Sequence, residues 1–269
     1  MKVGIVGVGF VGDAVKSYFE RINHNLLELF IYDKFKDGGI GDLSSILKTD
    51  LVYLCLPTLF NSEDSSYDMS AIHETMEYLR ENKYEGIILL KSTVEPGRTV
   101  ELTEKYNLKI IHNPEFLTAR TAREDFANQT HIVLGINELV TSDDLCVVKD
   151  FYHFNFPNAE ISTCTCTESE AMKIFANSFY AIKVQAFNEF YLLSNSLKTD
   201  YNKVVDLMLK NGWINQMHTN VPGPDGKLSY GGACFPKDTN ALLQTMRRHQ
   251  TPHAVLEATV SERNEMRSD

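Results

Sequence analysis

Gly7-Val8-Gly9-Phe10-Val11-Gly12 is the stretch that decides the fold. It follows a short apolar run, Lys2 to Val6, and opens a segment, Phe10 to Ile22, whose apolar residues recur at helical spacing. Leu29 to Tyr32 reads as a second strand, so the three pieces make a βαβ unit. Asp33 stands at the end of that strand, 21 residues after Gly12. A GxGxxG alone is weak, because glycine turns are common. Placed after a strand, before a helix and with an acid at this distance, it reads as a dinucleotide-binding turn.

Each residue of the turn has a physical reason. Gly7 permits the tight bend, Gly9 admits a pyrophosphate to the N–H groups of Phe10 and Val11 at the helix start, and Gly12 lets helix and strand pack closely. Asp33 would accept hydrogen bonds from the adenosine ribose, and its charge would repel a 2′-phosphate. The expected cofactor is therefore NAD rather than NADP. Lys34 is placed in the same site, and Lys34 and Lys36 together argue the other way. A tight turn without a ligand is the bland alternative.

The alternation of strand and helix continues through Asp50 to Leu56, Met69 to Asn82, Gly86 to Lys91, Arg98 to Tyr106, Lys109 to His112 and His131 to Gly135. That is enough for a doubly wound parallel sheet in an α/β fold, whose ligand edge lies at the strand carboxyl ends. Three polar motifs fall at such ends: Cys55-Leu56-Pro57-Thr58, Lys91-Ser92-Thr93-Val94-Glu95-Pro96-Gly97 and His112-Asn113-Pro114-Glu115-Phe116-Leu117. Any one of them could be turn chemistry. Three at one edge point to a site, with Pro57 and Thr58 placed beside the cofactor.

A helix (Leu139 to Tyr152) and a strand (Glu160 to Cys164) close this first domain, taken as residues 1–165. From Glu168 to Leu197 there is no Gly or Pro, and an apolar face continues for about 30 residues, a helix of roughly 45 Å. Such a helix is too long for a crossover and suits a spine or a homodimer interface. It opens a mostly helical second domain, residues 166–269, with further helices at Tyr201 to Lys210, Lys237 to His249 and from Pro252 nearly to Asp269. Lys173 and Asn177, four apart, lie one turn above each other. In the octet Gly231 to Asp238, GGACFPKD, two glycines precede Cys234, and Pro236 suits a first helical turn. A thiol at a helix start feels unpaired N–H groups that favour thiolate. The bland alternative is a small buried cysteine.

Composition excludes several classes. The 269 residues are 43% hydrophobic, enough for a substantial core, and the net charge of −10 with no basic stripe disfavours nucleic-acid binding. The apolar runs are too short to cross a bilayer and the chain starts directly on a strand, so a cytoplasmic protein without membrane association is expected. Five cysteines without framework spacing suit reduced thiols. Cys164 and Cys166 are one residue too close for the usual zinc pair, and the eight histidines form no cluster, so no metal is expected.

In this order, GVGFVG with Asp33, KSTVEPG, NPEFL, ESEAMKIFANSFYA, FNE and GGACFPKD resemble the nucleotide-sugar dehydrogenase family, whose familiar members are UDP-glucose 6-dehydrogenase and GDP-mannose 6-dehydrogenase. The resemblance covers residues 1 to about 250. It implies oxidation of a sugar C6 alcohol to the acid with two NAD, with UDP-glucose to UDP-glucuronate as the default. Cys234 would be the nucleophile. Its thiolate traps the aldehyde as a thiohemiacetal, which gives up a second hydride to become a thioester, and water releases the acid. Lys173 and Asn177 would stabilise negative charge on the substrate oxygen. Asp238 would orient water, Glu115 would be the base for thioester hydrolysis, and Thr93 would hold water or the nicotinamide side. Lys237 is assigned to the cofactor, and Phe116, Leu117, Tyr230, Gly231 and Gly232 to the sugar nucleotide.

The sequence departs from the family pattern in three places. Ala119 and Arg120 stand where relatives carry a Glu and a small residue. Lys227 is the one cation in the loop His218 to Tyr230, where relatives use an Arg to reach a neighbouring subunit's substrate. The chain also reads as a short form without the family's C-terminal nucleotide-binding domain. Two other readings follow. A 3-hydroxyacid dehydrogenase of the 6-phosphogluconate type would transfer one hydride and leave Cys234 structural. A non-catalytic NAD-binding subunit would bind cofactor without turnover.

Overall fold

The structure, a computed structural model, describes residues 1–22, 27–63 and 65–267. Its first elements are β1 (Lys2–Val6), α1 (Phe10–Ile22), β2 (Glu28–Tyr32) and β3 (Leu51–Leu54). Two-residue strands β4 (Phe60–Asn61) and β5 (Ser66–Tyr67) follow, then α2 (Ser70–Glu81), β6 (Ile87–Leu90), α3 (Arg98–Tyr106) and β7 (Ile110–His112). After these come α4 (Ala122–Ala127), β8 (His131–Ile136), α5 (Ser142–Asn155) and β9 (Glu160–Thr165). Four helices complete the chain: α6 (Cys166–Ser196), α7 (Tyr201–Lys210), α8 (Phe235–Arg248) and α9 (Ala254–Met266). The helical segment expected to run nearly to Asp269 thus covers α9, and Ser268 and Asp269 lie outside the described residues.

The sheet is ordered β2-β1-β3-β6-β7-β8-β9. The strand order reverses beside β1, which pairs in parallel with both β2 and β3, and the glycine turn leaves β1 at this switch point. The strands are apolar on both faces because helices cover both. Val3, Ile5, Tyr53 and Leu89 pack on one side with α1 and α5, and Val52, Leu54, Ile88 and Leu90 on the other with α2 and α3. Register aligns the ligand edge: Leu54 pairs with Leu90 and Leu90 with His112. The three polar motifs therefore leave adjacent strands side by side.

The sheet is mixed rather than wholly parallel. β8 runs antiparallel to β7 and β9 parallel to β8. Between β7 and β8 the chain makes only the six-residue α4, which packs along α1 instead of crossing the sheet, so it re-enters from the same edge. That helix lies in Thr118 to Asn128, where the sequence shows no clear period.

Two compact units emerge. Met1–Leu59 with Tyr67–Lys173 form the first, and Phe60–Ser66 with the chain from Ile174 onward form the second. The division falls within α6, seven residues beyond its start. In the second unit, Phe187, Tyr201 and Val205 form a small core joining α6 to α7. Asp200 caps α7 by accepting from the N–H groups of Asn202 and Lys203. Among the described residues no helix is long and apolar enough to cross a membrane.

Candidate active site

The first unit holds the glycine turn. Gly7 has φ of +86°, a left-handed backbone that favours glycine, and a Cβ on Gly12 would come within 1.8 Å of the Gly7 carbonyl oxygen. A Cβ on Gly9 would meet nothing within 4 Å. Beside that opening is a cavity of about 520 Å³ lined by Gly9, Phe10, Asp13, Asp33, Lys36 and Arg123. Asp33 Oδ2 accepts from Val8 N at 2.6 Å, and Oδ1 accepts from Phe35 N and Lys36 N. Burial pushes its carboxyl up, but these three N–H groups outweigh burial and hold it below the usual range. It stands as an anion at the end of β2. Lys34 turns to Glu74 at 2.7 Å, and Lys36 is the neighbouring cation that lines the cavity.

The ends of β3, β6 and β7 are tied to one another. Thr58, beyond Pro57, donates from Oγ1 to the carbonyl of Thr93 at 2.7 Å, and Ser92 donates to Leu56 O at 2.7 Å. Lys91 is buried, where burial depresses its ammonium to about 8, and donates to Asn113 Oδ1 and Pro114 O. Tyr152 donates to the same Asn113 oxygen at 2.5 Å. These bonds fix the backbone of the NPEFL loop, in which Glu115 is buried. Its Oε2 accepts from Leu117 N at 2.6 Å, and its Oε1 lies 3.1 Å from Lys173 Nζ. Lys173 also donates to the Glu115 carbonyl at 2.5 Å, and its ammonium lies 5.4 Å from the centre of the Phe116 ring. Glu115 and Lys173, read from separate motifs, form a buried ion pair.

One turn before Lys173 on α6, Glu170 is fully buried and accepts from Gly97 N at 2.6 Å and Thr99 N at 2.7 Å, the unpaired donors at the start of α3. Burial pushes its carboxyl up to about 7, against the pull of those N–H groups. Between the ordinary value of 4.5 and about 7 the folded chain therefore holds a proton that the unfolded chain has released. Stability from this residue is full below that window, falls as pH rises through it and is level above. Glu170→Gln should remove a loss of up to about 3 kcal/mol between pH 5 and 8, read as the difference in urea unfolding free energy from the unmodified chain.

The second unit holds the thiol. Cys234 caps the N-terminus of α8, with Pro236 in the first turn, and its carbonyl accepts from Asp238 N at 3.0 Å. The side chain is half-buried, and none of the five cysteines forms a disulfide. Asp238 has no exposure. Its Oδ2 accepts from Asn177 Nδ2 at 2.6 Å and its Oδ1 from Lys237 Nζ at 2.5 Å. The octet is thus tied to α6 through the asparagine of the K-x-x-x-N pair. Ahead of it, Tyr230 is buried and its carbonyl accepts from Arg263 Nε. A Cβ on Gly231 would come within 2.3 Å of the Arg267 guanidinium, and Gly232 has φ of +77°. Among the described residues no group of three or more His, Cys, Asp or Glu is placed to hold a metal.

Residues 41–153 match the NAD-binding domain of the UDP-glucose/GDP-mannose dehydrogenase family, and residues 167–265 match its central domain. The chain belongs to this family. It is 25% identical to a UDP-glucose 6-dehydrogenase of Campylobacter jejuni, over 99% of this chain and 72% of that protein. Its fold resembles that of a UDP-glucose dehydrogenase from Pyrobaculum islandicum (TM-score 0.81, 22% identity, 98% of this chain and 68% of that one). It also resembles a 3-hydroxyisobutyrate dehydrogenase from Mycobacterium tuberculosis (TM-score 0.72, 15% identity, 100% and 94%).

As a member of this family of dehydrogenases the chain uses NAD, and its residues fit the cofactor. The opening over Gly9 admits a diphosphate, the first turn of α1 offers N–H donors, and the Asp33 carboxylate can accept from a ribose. A paired substitution separates folding from binding here. Gly12→Ala drives a methyl into backbone and should cost about 2 kcal/mol or more. Gly9→Ala should melt like the parent chain and bind NAD at least about tenfold more weakly, since its methyl takes the diphosphate's place. Thermal melts and calorimetric NAD titration read the two effects.

Four residues of the cofactor cavity, Val8, Asp13, Lys36 and Arg123, were not assigned to the cofactor from sequence. Arg123 lies in the aperiodic stretch, where only the position of α4 brings it to the glycine turn.

Proposed function

We propose that this chain carries out the NAD-dependent four-electron oxidation of the C6 alcohol of a nucleotide sugar, with UDP-glucose as the first substrate to try. The first hydride passes from C6 to NAD and leaves an aldehyde. Addition of the Cys234 thiolate gives a thiohemiacetal, whose hydride passes to a second NAD. The resulting thioester takes up water, and the acid leaves as the thiol is restored. In this scheme Lys173 and Asn177 face the oxygen that gains negative charge, Glu115 draws the proton from water and Asp238 orients it.

The observation that carries this reading is the bond from Asn177 to Asp238. It ties the Cys234 turn to Asn177 on α6, so within the second unit the nucleophile's turn and a residue assigned to the substrate oxygen are held together. Glu115 paired with Lys173 supports the assignment of a base and its partner. A homodimer along α6 is part of the same proposal, supported by Phe175, Phe179 and Leu193, which are more than half exposed on that helix.

The test is the NADH yield per sugar across UDP- and GDP-sugars. Two NADH with release of acid support the proposal, and no NADH from any nucleotide sugar overturns it. One hydride per substrate would favour a 3-hydroxyacid dehydrogenase. The observation on that side is the 3-hydroxyisobutyrate dehydrogenase fold, which this chain matches over nearly its whole length.

A further inference from the structure

The cofactor cavity holds more charge than a glycine turn needs. Asp13, in the first turn of α1, and Asp33, after β2, place two carboxylates where a ligand carrying two phosphate charges must bind. Left alone, Asp13 would repel that ligand. It is not alone: Arg123 Nε donates to Asp13 Oδ2 at 2.7 Å, and Lys36 Nζ lies 3.8 Å from Asp13 Oδ1. The hydrogen bond from Arg123 is the leading cause that holds the Asp13 carboxyl below its ordinary range.

The geometry of the guanidinium matters as much as its charge. Arg123 is held through Nε alone, and among the described residues its two Nη groups make no hydrogen bond. The side chain is 67% exposed and lines both the 520 Å³ cavity over Gly9 and an adjoining one of about 270 Å³ reached past Phe10 and Arg120. A guanidinium pinned by one edge presents its other two nitrogens as a planar fork, which suits paired phosphate oxygens. An exposed arginine paired only for stability would contribute little.

We propose that Arg123 is a diphosphate-binding residue of the cofactor site, oriented by Asp13, which thereby acts as a positioning residue. The helix N–H groups take the diphosphate from one side and the Arg123 fork takes it from the cavity rim. Asp13 fixes the fork before the ligand arrives, so little side-chain freedom is lost on binding. Lys36 donates to the carbonyl of Val8 at 2.7 Å and completes charge balance at the rim.

Calorimetric titration of the full chain with ADP-ribose, adenosine and NAD tests this. Arg123→Gln should weaken ADP-ribose and NAD about tenfold, equivalent to about 1.4 kcal/mol, while adenosine, which has no phosphate, changes less than about twofold. The salt dependence of ADP-ribose binding should flatten in the same variant. Arg123→Lys, which keeps the charge but loses the fork, should recover only part of the affinity. Equal loss for adenosine and ADP-ribose would show that the residue only shapes the site, and unchanged ADP-ribose affinity would remove Arg123 from it; either overturns the proposal. NAD binding by the parent chain stands independently of all these outcomes.

Discussion

Cys234→Ala should abolish acid formation, by at least about a thousandfold, and hold NADH at no more than one per sugar. The expectation follows from electron count. One hydride takes an alcohol to an aldehyde, and a second can leave only from a tetrahedral adduct that bears an oxygen and a hydrogen. In the proposed mechanism the thiol supplies that adduct without releasing the aldehyde. Stability should change little, because the side chain is half-buried and its replacement removes one sulfur from the start of α8. Cys234→Ser makes the argument sharper: it keeps the size but is a far weaker nucleophile, so it should fall with the alanine variant. Two NADH per sugar from Cys234→Ala would sink the covalent mechanism.

Lys173→Met should lower both stability and turnover, by about 3 kcal/mol and at least a hundredfold. Lys173 and Glu115 are each about 95% buried, so removing the cation leaves a carboxylate whose remaining hydrogen bond is the one it accepts from Leu117 N. That uncompensated charge is the source of the stability loss. Glu115→Gln, which leaves an amide oxygen for Lys173, should cost less. In the double variant the buried charge is gone from both partners, so much of the stability should return while turnover does not. Urea unfolding of the four proteins measures the coupling. Strict additivity would mean that the two residues do not act as a pair.

Much of the fold could be read from residues because the chain repeats its signals locally. The glycine turn lies between an apolar strand and a periodic helix, and α1, α3 and α7 fall at Phe10–Ile22, Arg98–Tyr106 and Tyr201–Lys210 as their periodicity implied. The three polar motifs were legible as strand ends, and strand register then set them side by side. The stretch from Thr118 to Asn128 was not legible. α4 is too short to show a period, and the reversal of β8 depends on where a loop returns, which neither propensity nor spacing encodes.

The candidate site divides in the same way. By itself the sequence determined its functional groups: a thiol at a helix start, an amine and an amide one turn apart, a carboxylate after a strand, and an acid at the end of β2. Tertiary structure alone decided the pairings. Glu115 meets Lys173, Asn177 holds Asp238, Glu170 caps α3, and Arg123 reaches Asp13 across 110 residues of chain. The physical reason is range. Turn geometry and helical period act over a few residues, so they can be read along the chain. Hydrogen bonds and ion pairs between distant segments exist only after burial has removed water from both partners and packing has fixed their distance.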